Sequence, residues 1–142
     1  MLLSITLTVC LVALLVLMHF EALKVIARIA GPSRGARGRM LVIMFGVVVT
    51  HVLEIGLYGI GYWIGDKVFD IGDFAGVHAV AFRDYLYFSA ETYSSLGIGD
   101  IYPLGDLRLL ASIEVLIGLL LIGWSASFTY ISMIKYWPTT DD

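Results

Sequence analysis

Apolar residues along the chain fall into three long runs and one short one. Leu2 to Phe20 holds 19 residues without a formal charge, enough to cross a hydrocarbon core about 30 Å thick as one helix. Met40 to Ile64 gives a second expected span, and Leu107 to Tyr136 a third. Ala81 to Tyr93 is apolar at helical spacing through Phe82, Tyr85, Leu86, Phe88 and Ala90. As a helix it would cover only about 20 Å, so it reads as a re-entrant half-helix. The pattern predicts an all-α membrane protein with three transmembrane helices, a half-helix and a polar loop.

The polar intervals orient these elements. Glu21 to Arg39 carries Lys24, Arg28, Arg34, Arg37 and Arg39, broken by Gly31, Pro32, Gly35 and Gly38. Such a cationic connector belongs on the cytoplasmic side. Asp66, Lys67, Asp70 and Asp73 follow the second run and fall on the outer side, with Tyr62 and Trp63 at the interface. Three spans then place the N-terminus outside and the C-terminus in the cytoplasm, in a plasma (inner) membrane. Lys135 and the Tyr136-Trp137 pair mark the inner end of the third span. With no basic residue before Lys24 and no small-residue cleavage site, the first run is expected to remain in the mature protein. Residues 1–39 read as an additional helix with its basic loop, and 40–142 as a pore-like unit.

Composition agrees with this topology: 59% of the 142 residues are hydrophobic and 15% charged. Five of the 9 basic residues lie in one connector, which argues against nucleic-acid binding. Cys10 is the single cysteine, so neither an intrachain disulfide nor a cysteine metal cluster is available.

The stretch Glu91-Thr-Tyr-Ser-Ser-Leu-Gly-Ile-Gly-Asp-Ile-Tyr-Pro103 interrupts the apolar pattern. Irregular backbone at membrane depth is tolerated where protein buries it or where it lines a water-filled path. Glycines at 97 and 99 allow successive carbonyls to turn toward one axis, where they can replace the hydration shell of a monovalent cation.

The stretch resembles the pore loop of the tetrameric potassium-channel superfamily, whose signature is T-V-G-Y-G-D. Ser95, Leu96, Gly97, Ile98, Gly99 and Asp100 occupy the matching positions, and the resemblance extends from about Met40 to Tyr136. It implies a homotetramer with one filter strand per chain. Potassium would be held by the carbonyls of Ser95, Leu96, Gly97 and Ile98, as the permeating ion rather than a resident cofactor. Ser95 keeps the hydroxyl of the family Thr; Ile98 replaces a Tyr and can only pack. Glu91 and Asp100 match a pair that supports the filter in some members, and Gly118 lies near a hinge common in the inner helix. Close packing against a neighbour is the other reading of Gly118.

His51 and Glu54 share one face of the second helix, and Glu114 lies in the outer half of the third. Ionisable residues at such depths face protein or water, so the three are expected to form a buried polar cluster behind the pore. Two ligands on one helix do not make a metal site. His19 and His78 read as interfacial or solvated, and the glycines of the second helix as packing positions.

The reading that follows is a passive cation channel, most simply for potassium, partnered by membrane lipid, monovalent cations and three copies of itself. A weakly selective monovalent pore and a non-conducting channel-like scaffold or regulatory subunit are the alternatives. There is no nucleophile-and-base spacing or phosphate loop to suggest an enzyme. The first helix has no regularly spaced Arg to sense voltage.

Overall fold

A computed structural model describes residues 1–32, 34–76 and 81–136. Helix α1 runs from Leu2 to Ile29, α2 from Ala36 to Lys67, α3 from Phe82 to Tyr93 and α4 from Leu107 to Tyr136. The third span has the expected limits, and the half-helix begins one residue later than the sequence suggests. His78 and Trp137 lie outside the described residues.

The first two helices are longer than their apolar runs. Charge ends a membrane-compatible segment but does not end a helix: Glu21 and Lys24 pair three residues apart, with Nζ donating to Oε1 at 2.8 Å, and Ile26 and Ala30 keep packing at the basic end. This extension puts His19 in the interior of α1, completely buried, and corrects its expected interfacial or solvated position.

α1, α2 and α4 are each long and apolar enough to cross a membrane, and α3 is inserted between α2 and α4. The chain is an all-α integral membrane protein. Phe45, Val48 and Val52 of α2, with Leu116 and Leu120 of α4, leave apolar side chains exposed. Such faces are stable where hydrocarbon replaces water. Inside, Leu11 and Leu15 of α1 meet Tyr58 and Tyr62 of α2, Tyr85 and Phe88 of α3, and Leu110 and Ile117 of α4. Aromatic edges organise this core: Phe74 stands T-shaped to Tyr62, Tyr85 and Phe88, with centroids 5.6, 5.2 and 5.0 Å away.

Small residues let α1 lie close to α2. A methyl on Gly46 would meet Ile26, and one on Gly61 would meet Leu11.

A feature that the apolar pattern does not predict is a short antiparallel ribbon. β1 (Phe74–Gly76) pairs with β2 (Ile101–Pro103), Phe74 opposite Pro103 and Gly76 opposite Ile101. Beyond it, Leu104 N–H donates to the Asp73 carbonyl at 2.7 Å, and Asp106 N–H to that of Ile71 at 3.0 Å. The loop at 94–100 is therefore held at both ends, by α3 before it and by the ribbon after it.

Candidate pore-lining site

The site begins where α3 stops. Ser94 caps the helix, and Ser95 follows with φ of +60°. Ser95 N–H donates to the Thr92 carbonyl at 3.0 Å and Leu96 N–H to the Glu91 carbonyl at 2.7 Å. That pair of bonds around a left-handed residue is a Schellman ending. It turns the chain sharply out of the helix and satisfies carbonyls that would otherwise be orphaned.

Gly97 and Gly99 also have left-handed φ values, +56° and +81°, so every second residue from 95 to 99 is left-handed. Alternation of hand gathers successive N–H groups on one side of the backbone and leaves the carbonyls to the other. The hydrogen bonds agree: Leu96 and Gly97 N–H both point at the Glu91 carbonyl, at 2.7 and 3.3 Å, while Ile98 N–H donates to Glu91 Oε2 at 3.0 Å. One residue thus collects three consecutive amides. Leu96 and Ile98 extend exposed, apolar side chains.

Asp100 has other partners. Its Oδ2 accepts from the Tyr87 hydroxyl at 3.3 Å and its Oδ1 from Ile101 N–H at 3.0 Å. It still acts on Glu91 through charge. Burial pushes the Glu91 carboxyl above the ordinary carboxylate range; the Ile98 N–H opposes this, the Asp100 charge adds to it, and the Gly99 N–H opposes it again.

The opposite face of α3 is anchored by a stripe of hydroxyls four residues apart. Tyr85 donates to Asp66 Oδ2, Ser89 to Glu114 Oε1 at 2.5 Å, and Tyr93 to Glu54 Oε2 at 2.5 Å. Glu114 also accepts from Tyr62 at 2.5 Å. Three carboxylates from α2 and α4 therefore receive one rung each of the same helical face. The four-residue spacing of Tyr85, Ser89 and Tyr93 is visible in the sequence, but Tyr85 was legible there only as an apolar contact.

His51 and Glu54 come together, with His51 Nδ1 2.9 Å from Glu54 Oε2. Glu114 does not join them; its carboxylate is occupied by Ser89 and Tyr62. The third member of the cluster is His19, whose Nδ1 lies 2.8 Å from Glu54 Oε1.

Gly118 sits in an unbroken stretch of α4, where a methyl would run into the backbone carbonyl of Tyr93. Gly118→Ala is expected to destabilise the folded protein by about 1–3 kcal/mol per chain, read as a lower melting temperature in detergent. A pure hinge role would instead alter opening and leave melting unchanged.

Neither a curated protein nor a solved structure gives a match to this chain. A family model described as ion channel matches residues 40–135, a segment that covers most of α2, the half-helix, the left-handed loop and nearly all of α4, leaving α1 outside. The family is one of channels, not of enzymes, and this chain belongs to it as a pore-loop cation channel.

Proposed function

We propose that four copies of the chain surround one axis and conduct potassium passively through a filter formed by Ser95, Leu96, Gly97, Ile98 and Gly99. The observation that carries this reading is the gathering of the Leu96 to Ile98 amides on Glu91. Carbonyls turned the other way form the kind of ladder that replaces a cation's water. One strand cannot encircle an ion, so the site is complete only with symmetric copies. Four half-helix C-termini aimed at the axis add partial negative charge. No resident cofactor is needed, because the permeating ion is itself the ligand.

The basic end of α1 and α2 faces the cytoplasm in this reading, and the acidic 66–73 segment and ribbon face outward. Both termini follow: the first outside, the last inside a plasma membrane.

Ile98 favours one second reading. Its exposed side chain offers the loop no hydrogen bond, which suits a weakly selective monovalent pore. Purified protein in liposomes, given K⁺ and then Na⁺ gradients, separates the two. Flux at least about tenfold faster for K⁺ is expected, corresponding to about 1.4 kcal/mol of discrimination. Equal flux would support the weakly selective pore, and none across a range of pH and voltage would overturn conduction and favour a scaffold.

A further inference from the structure

Behind the end of α3 lies a buried network that uses all four helices. Glu54, completely buried on α2, accepts at Oε1 from His19 of α1 at 2.8 Å. At Oε2 it accepts from the Tyr93 hydroxyl at 2.5 Å and from His51 Nδ1 at 2.9 Å, an Nδ1 that also lies 2.8 Å from the Tyr93 hydroxyl. An ionised carboxylate is an acceptor only, so against an ionised Glu54 both imidazoles carry their proton on Nδ1. His19 Nε2 is then left as an acceptor, and Ser125 Oγ of α4 lies 3.4 Å from it. The His19 ring also packs on Trp124 and His51, with centroids 5.3 and 5.7 Å away.

We propose that His19 is a positioning residue for the Ser95 to Gly99 loop, acting through Glu54 and Tyr93, and that this is what the additional first helix contributes to permeation. The inference rests on the filter reading above. Tyr93 is the last residue of α3, and Glu91, which holds the loop amides, is two positions before it. At 100° per residue those two side chains leave the helix on roughly opposite faces. Tyr93 therefore ties the back of the helix end to Glu54, while Glu91 ties its front to the loop. Turning or sliding this last helical turn would carry the Glu91 carbonyl and carboxylate with it, and three loop amides would lose their register.

Among the described residues the loop has few other restraints of this kind. Leu96 and Ile98 are exposed and apolar, and the Asp100 contact with Tyr87 is exposed and long. His19 is in turn fixed by its own helix, since the close contacts of Leu11 with Gly61 and Ile26 with Gly46 lie on either side of it along α1. The three side chains His19, His51 and Glu54 also have the composition of a metal site. Glu54, however, is already saturated by donors from three residues.

The test uses the full chain reconstituted in liposomes, with hydrogen exchange of the 94–100 amides measured alongside K⁺ and Na⁺ flux. His19→Leu keeps the volume buried but removes the donor. Exchange at least about tenfold faster and a K⁺ to Na⁺ ratio lowered at least about tenfold are expected, the effect of one buried hydrogen bond lost. Tyr93→Phe should do the same. His19→Asn, whose amide occupies the place of Nδ1–H, should restore both values.

Because the two substitutions cut one chain of bonds, the double variant should be little worse than either single one. Additive effects would overturn the proposal, as would unchanged exchange in His19→Leu or failure of His19→Asn to restore it. One zinc per chain in the purified protein, lost in His19→Leu, would also overturn it by making the cluster a ligand set. Exchange is read without flux. A wild type that conducts without selectivity therefore defeats the filter reading alone, and a selective wild type with unresponsive variants defeats this one alone.

Discussion

Gly97→Ala is expected to lower cation flux in liposomes at least about 100-fold, to the background of empty vesicles. At φ of +56° an L residue with a Cβ costs about 1–2 kcal/mol. Space is not the cause, since a methyl at this position meets nothing within 4 Å. The cost arises in the backbone itself, where the carbonyls of 96 and 97 take their direction from the hand of residue 97. In the proposed pore of four chains the same penalty is counted four times, about 4–8 kcal/mol in all, and each 1.4 kcal/mol is about tenfold. Gly56→Ala is the matched control. Gly56 lies inside α2 and a methyl there also meets nothing within 4 Å, so flux and assembly should both be unchanged. Equal loss in the two variants would show that glycine content in general, rather than left-handed backbone at 97, governs conduction.

Glu91→Leu should have the second-largest effect. It removes the acceptor of the Ile98 amide, and a buried donor left unpaired costs about 1–3 kcal/mol. Flux selectivity is expected to fall at least about tenfold. Glu91→Gln keeps an acceptor oxygen, so it should retain most of the wild-type selectivity.

The two variants also expose the titration. The folded protein raises the Glu91 carboxyl above its ordinary range, so the native state binds that proton more readily than the unfolded chain. Between the ordinary and the raised value, stability falls as pH rises. Wild type should therefore gain melting temperature over Glu91→Gln on going from pH 8 toward pH 5. A difference between the two that does not change with pH would show that Glu91 does not titrate in this window.

Much of the architecture was legible from residue pattern alone, because a bilayer imposes a length and a composition that a linear sequence must display. Uncharged runs gave the number of spans, and the excess of Lys and Arg between the first two gave their expected sense. The Gly97-Ile98-Gly99 spacing marked the loop, since left-handed backbone at alternate positions leaves glycine as its trace. Even so, Ser95 shares that conformation without being glycine. Its hand comes from the Schellman bonds to Thr92 and Glu91, which depend on where α3 ends.

Apart from the His51–Glu54 pair, partnership among the buried polar residues was decided only by tertiary structure. His51 and Glu54 lie three apart on one helix, so local geometry alone makes them neighbours. Glu114 could be given a depth but not a rotation about its helix axis, and packing turned it toward Ser89 and Tyr62 rather than toward Glu54. His19 stands near the end of an apolar run, where the first charges mark the limit of the hydrocarbon core but not of the helix. The helix continues to Ile29, and its packing against α2 carries the imidazole onto Glu54. Depth along a membrane helix is a property of position in the sequence. Azimuth is set by which neighbour each helix packs against, and hydrogen-bond partners 35 residues apart meet only after that packing has occurred.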